Sequence, residues 1–214
     1  MSTGRPMFER LVHDLKGPLS PLQTAAYLLR RPELPEEKRI ELAETIERQA
    51  RRMAGMIEEL GDWVRGREGR LIHRARPFEL GLAIDMAIGA VPGCTADPVL
   101  GPGMETAQVD GDDARFVQAL ATLLGYAQWR GGVTLLTAHA VDGMAVLQIT
   151  DAGPPVDMPE RLFLDPLPEP YDLGLGLGLI VAEAIVRAHG GSLVARRGHP
   201  GLVLELVVPV APPA

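Results

Sequence analysis

A histidine, an acid and three helix breakers stand together near the start of the chain. His13 and Asp14 are followed by Gly17, Pro18 and Pro21 in "LVHDLKGPLSPL", residues 11–22. A histidine with its ordinary pKa of about 6.5 is largely neutral at pH 7 and can offer an unprotonated ring nitrogen as a nucleophile. The adjacent carboxylate can hold the proton on the other ring nitrogen or act as a base. Pro18 and Pro21 have no N–H, so the carbonyls of Asp14 and Gly17 are expected to lose their helical partners and the helix to loosen just beyond His13. A soft mount would let one imidazole meet two partners. A kink that follows the curvature of a bundle is the competing explanation.

A second group lies toward the carboxyl end. "LQITDAGPPV" ends a strand at Asp151 and turns at Gly153. A carboxylate there can accept from the exocyclic amine of an adenine, or simply cap a solvated turn. "YDLGLGLGLIVAEAIVRAHGG" sets Gly174, Gly176 and Gly178 at alternate positions before an apolar helix. Such a run offers backbone N–H groups to a phosphate, or serves a loop that needs positive φ. The five histidines form no metal-binding pair at helical spacing, and no metal site is expected.

The bulk composition narrows the classes. With 214 residues, 46% hydrophobic and 23% charged, the chain is globular and suits two small domains. A net charge of -7 argues against a nucleic-acid phosphate backbone as main partner. Cys94 is alone, which excludes an internal disulfide and fits a reducing compartment. No stretch reaches the roughly 18–20 apolar residues that cross a bilayer, so a cytoplasmic location is expected.

Two helical seams must carry the histidine. Apolar residues at 8, 11, 12, 15, 19, 22, 26 and 29 keep to one helical face. "RRPELPEEKR" supplies a connection, with a new helix starting near Pro35 or Glu36. Leu42, Ile46, Gln49 or Ala50, Met53, Met56 or Ile57, Leu60 and Trp63 or Val64 then repeat at heptad-like spacing. Two helices cannot enclose both stripes. A homodimer that builds a four-helix bundle from two antiparallel hairpins is therefore expected, unless the second domain covers the stripe. The domains are placed at 1–67 and 77–214, with a linker over about 66–77. In the second, helices are predicted over 78–91, 113–129 and 179–189. Strands are predicted over 132–141 and 144–150 around Asp142-Gly143, and over 191–197 and 202–210, giving an α/β sandwich.

Taken in order, these segments resemble the bacterial histidine kinases, and the resemblance covers nearly the whole chain. "VHDLKGPLSPL" is similar to the phosphoacceptor box, with Pro18 five positions beyond the histidine. "DGDDARFVQALATLLGYAQW" resembles the N-box helix, "DAGPPV" matches the adenine box in part, and "RLF", ending at Phe163, resembles the segment before the nucleotide lid. "GLGLGL" through "AHGG" is similar to the second glycine box. The resemblance implies an α+β chain, a phosphoacceptor hairpin followed by a histidine-kinase-type ATPase fold. It implies that His13 carries a phosphoryl group, that Asp14 assists, and that Asp151, Gly153, Gly174, Gly176 and Gly178 face nucleotide. Arg10, Lys16 and Ser20 are the expected docking residues for a response-regulator receiver domain.

The same comparison implies losses. Tyr126 stands where the family has its Mg²⁺-binding asparagine, with Thr122 and Trp129 at other normally polar positions, and Pro155 replaces the adenine box's second glycine. The lid "LDPLPEPYDL" is short and holds three prolines. Gly17 stands where many kinases carry the Asn or Thr that orients a hydrolytic water, which implies weak phosphatase activity. "HDL-x-GP" is also similar to bacterial histidine phosphotransferases that keep the two-domain shape without nucleotide. The leading expectation is thus a histidine phosphotransferase with degenerate kinase features, shuttling phosphoryl groups between receiver aspartates. It takes little or no ATP and is fed by an upstream histidine kinase or another donor. The alternatives are an ATP-dependent autokinase, the one reading that needs Mg²⁺, and a non-catalytic dimeric adaptor.

Overall fold

A computed structural model describes residues 4–167, 174–199 and 201–210, with side chains from residue 9. The chain divides into two compact units, one reaching Gly61 and including Gly174–Gly176, the other comprising Asp62–Leu167 and the chain from Leu177 onward.

In the first unit α1 (Gly4–Lys16) and α2 (Leu19–Leu28) lead through a short connection into α3 (Glu36–Arg67). The single seam predicted from Phe8 to Leu29 is therefore two helices, and the break falls at Gly17-Pro18. Pro18 is the N-cap of α2, which puts Pro21 at the third helical position. Its missing N–H falls among the first four, which have no intrahelical acceptor in any helix. The expected orphaning of the Asp14 carbonyl is corrected: it accepts from Gly17 N–H at 3.1 Å, a tightened last turn. The connection is braced by Arg39, whose guanidinium donates to the carbonyls of Leu29, Arg31 and Pro32 at 3.4, 3.2 and 3.5 Å. Leu11, Ala25 and Met56 are buried, whereas Val12, Leu19, Tyr27, Ile40 and Ile57 remain exposed.

The second unit is a two-layer α/β sandwich. Its sheet runs β2 (Val99–Leu100), β4 (Val133–Val141), β5 (Met144–Asp151), β7 (Leu202–Pro209), β6 (Ser192–Arg197). Only the β2–β4 pair is parallel. Asp142 and Gly143 both take positive φ, 50° and 77°, the two-residue turn whose twist suits a hairpin. Alternate residues of β5 and β7 are buried, and α5 (Asp113–Arg130) and α6 (Gly178–Ala188) supply Phe116, Leu120, Leu123, Leu179, Ile185 and Val186 to the core. Each such large side chain, fully buried, contributes about 1.5–3 kcal/mol.

The helix predicted over 78–91 begins later. Arg76–Glu79 is a strand, β1, paired antiparallel with β3 (Gln108–Gly111), and α4 covers Leu80–Ala90. Phe78 points inward against Phe116, ring centroids 5.3 Å apart. The pairing partner lies thirty residues on in a glycine- and proline-rich passage, so no local period announces either strand. Around residues 66–77 the backbone is also held in place: the N–H groups of His73 and Arg74 donate to Asp112 Oδ2 at 3.1 and 3.2 Å.

Candidate phosphoacceptor and nucleotide sites

His13 sits in the last turn of α1, with its side chain 88% exposed. Nδ1 lies 3.3 Å from Asp14 Oδ1, and Asp14 Oδ2 lies 3.5 Å from Arg10 Nε. An ionised carboxylate only accepts hydrogen bonds, so this contact places the ring proton on Nδ1 and leaves the lone pair on Nε2. Arg10 is thereby tied to the same carboxylate, one turn before it. Lys16 and Ser20 are exposed on either side of the helix break. In the same unit Leu175 N–H, between Gly174 and Gly176, donates to Glu59 Oε2 at 2.7 Å. Gly176 takes φ 74°, a conformation that favours glycine whatever the loop binds.

In the second unit Asp151 ends β5 and is 1% exposed. Its Oδ1 accepts from Gly153 N–H at 2.8 Å and from Leu202 N–H at 3.3 Å. Its Oδ2 accepts from Arg130 Nε at 2.7 Å. Arg130, the last residue of α5, has its side chain only 6% exposed; it also donates to the Pro154 carbonyl and stands over the Tyr126 ring, 5.7 Å from its centroid. The chain comes very close here. A Cβ on Gly153 would lie 2.5 Å from the Arg130 carbonyl oxygen, and one on Gly201, whose φ is 73°, would lie 2.1 Å from the Asp151 carbonyl.

Tyr126 is buried and stacks on Trp129 with centroids 6.1 Å apart. Burial pushes its phenol above the ordinary value of 10, against the opposing charge and hydrogen bond of Arg130. It stays protonated and neutral at pH 7. Tyr126 thus presents a neutral buried phenol, a poor oxygen ligand for Mg²⁺, and both oxygens of Asp151 are engaged by the chain itself. Among the described residues no group of three or more His, Cys, Asp or Glu is placed to hold a metal. Gly178 opens α6, while the stretch 168–173 of the proline-containing lid lies outside the described residues.

Sequence reasoning missed Arg130. Its one visible signal was a basic residue closing a helix immediately before Gly131-Gly132, which by itself reads as an ordinary C-terminal cation. It also missed a cluster around Asp62, where Arg115 Nη1 reaches both carboxylate oxygens at 2.8 Å, Gln118 donates at 2.9 Å and Arg65 at 2.6 Å. Burial pushes the Asp62 carboxyl up, but these bonds outweigh it and hold its pKa below the ordinary 3.8. Asp112, the N-cap of α5, is held low by its three backbone N–H donors in the same way. His189, buried, accepts from Asp112 N–H at Nε2, 3.0 Å, and contacts the Ile185 carbonyl through Nδ1 at 2.8 Å, a structural role.

Comparison with known proteins gives a consistent result. Residues 6–69 match the His Kinase A (phospho-acceptor) domain. Sensor histidine kinase TrcS of Mycobacterium tuberculosis is 32% identical over 225 residues, covering 92% of this chain and 42% of that protein. The histidine kinase AdeS of Acinetobacter baumannii superposes with a TM-score of 0.72 at 20% identity, covering 92% of this chain and 97% of the other. The histidine kinase ThkA, solved in complex with the response regulator protein TrrA, gives 0.71 at 18% identity over 97% of this chain and 62% of that one. The chain spans under half the length of the curated relatives it matches. Among the described residues no helix is long and apolar enough to cross a membrane.

Proposed function

Because the chain belongs to the bacterial histidine kinase family, we propose that His13 is its phosphoacceptor, exchanging a phosphoryl group with aspartates of response-regulator receiver domains on the cytoplasmic side. The observation that carries this is the exposed imidazole with Nδ1 against Asp14. Nε2 attacks the phosphorus of a receiver's aspartyl phosphate, the N–P bond forms as the P–O bond breaks, and the electron pair leaves with the aspartate. The ring proton stays on Nδ1, where Asp14 offsets the charge that develops. The transfer runs in reverse toward a second receiver. Arg10 and Lys16, three residues either side of His13 on α1, and Ser20 in the first turn of α2 form the proposed docking face. A histidine kinase of the same fold solved with a response regulator supports a partner of this class.

The source of the phosphoryl group divides the readings. The relatives are named as histidine kinases, TrcS as a sensor histidine kinase, which favours ATP-dependent autophosphorylation of His13 over a dedicated phosphotransferase. The engaged Asp151 carboxylate and the phenol at the metal position favour supply by another phosphoprotein. Incubating the chain with a ³²P-labelled phospho-receiver, and separately with labelled ATP and Mg²⁺, decides between them. Label from the receiver that is acid-labile, alkali-stable and absent in His13→Gln is the expected outcome. Label from ATP alone, lost in His13→Gln, would establish the autokinase, and no label from either would leave a docking adaptor.

A further inference from the structure

We propose that Arg130 is an internal ligand standing in the adenine position, so that the α/β unit binds no adenine nucleotide. The inference rests on the family reading of Asp151 as the base-reading carboxylate and goes beyond the phosphoacceptor assignment.

Three observations carry it. Arg130 Nε takes Asp151 Oδ2 at 2.7 Å, while Oδ1 is already shared by the N–H groups of Gly153 and Leu202. An entering adenine amine would be a neutral donor competing with a guanidinium, which brings a full opposite charge to the carboxylate as well as a hydrogen bond. Displacement would also strand a cation whose side chain is 6% exposed, and an unpaired buried charge is costly. Arg130 is further fixed from two other directions, by the Pro154 carbonyl and by the Tyr126 ring, over which its guanidinium stands.

The loop beside this pair is packed directly onto the end of α5. Ala152 N–H donates to the Gly132 carbonyl at 3.1 Å, and Gly153 lies against the Arg130 backbone so closely that a methyl there would collide. The loop that a nucleotide would need to approach is instead stitched to the end of α5. A charged side chain of the chain supplies the counter-ion, and the buried carboxylate is satisfied without a cofactor.

The test is calorimetric titration of the full chain with ATP, with and without Mg²⁺, and with ADP, each to millimolar concentration. No saturable heat and no rise in melting temperature are expected for wild type; saturable binding would overturn the proposal. Arg130→Ala, confirmed as folded by circular dichroism, is expected to gain at least tenfold in ATP affinity. A folded variant that gains nothing would remove Arg130 as the blocking group, and if it does not fold, the wild-type titration decides alone. Transfer from a phospho-receiver to His13, measured on the same preparation, separates this inference from the functional reading. ATP binding with intact transfer sinks only the internal ligand, whereas absent binding with absent transfer supports the internal ligand and strikes only at the phosphoacceptor role.

Discussion

At the scale of residues, two carboxylates have opposite settings. Asp14 is partly exposed beside an exposed ring, where it can orient the imidazole at low cost. Asp151 is buried against a buried cation, where each charge offsets the cost of burying the other. Asp14→Asn leaves the contact with Nδ1 without its negative charge, and phosphotransfer through His13 is expected to slow by roughly 10²–10⁴-fold, read from the initial rate of label transfer. Arg130→Ala is expected to cost about 3–5 kcal/mol in urea unfolding, because Asp151 is left unpaired. The double variant Arg130→Gln with Asp151→Asn, neutral on both sides, should lose less than the single change. A double variant no more stable than Arg130→Ala would mean that the pair's charge is not what holds this corner.

At the scale of elements, the ends of helices decide most of what the sequence could and could not announce. The alternation of β5 and β7, the Asp142-Gly143 turn, and the bodies of α3, α5 and α6 were legible because a period of 2 or 3.6 is written locally. The break between α1 and α2 was foreseen as softness, yet its form depends on Pro18 acting as an N-cap, a choice that local spacing leaves open. β1 and β3 were missed because their pairing is non-local, and the Asp62 cluster because two of its partners, Arg115 and Gln118, lie more than fifty positions away. That cluster predicts a pH dependence. Its folded pKa is depressed, so its stabilisation is fully present above the ordinary carboxylate value and is lost as pH falls through the folded value. Asp62→Asn should therefore be less stable than wild type at pH 7 by urea midpoint, and the gap should narrow below about pH 4. A gap independent of pH would mean that ionisation of Asp62 contributes nothing.

At the scale of the whole molecule, the first unit leaves Val12, Leu19, Tyr27, Ile40 and Ile57 uncovered, Ile57 at 59% exposure. A second copy packing as a four-helix bundle would bury such a stripe, and we propose that the chain is a homodimer. Sedimentation velocity should give a dimer for wild type and a shift of at least tenfold toward monomer for Ile57→Glu, with helical content preserved. A wild-type monomer at tens of micromolar would dismiss the pairing. The candidate site was legible in the same uneven way. His13 and Asp14 could be read because neighbours in sequence are neighbours in space, and the state of Asp151 could not, because Arg130 arrives from a different element.

The Arg130–Asp151 pair also locks its two members to each other. Neither member can be exchanged singly without stranding its partner's charge in the interior, so replacing one at a time costs stability that replacing both together avoids. Asp151 and Gly153 would then persist in descendants for reasons of architecture alone, and a reader of motifs would go on seeing a nucleotide signature long after the ligand had been replaced.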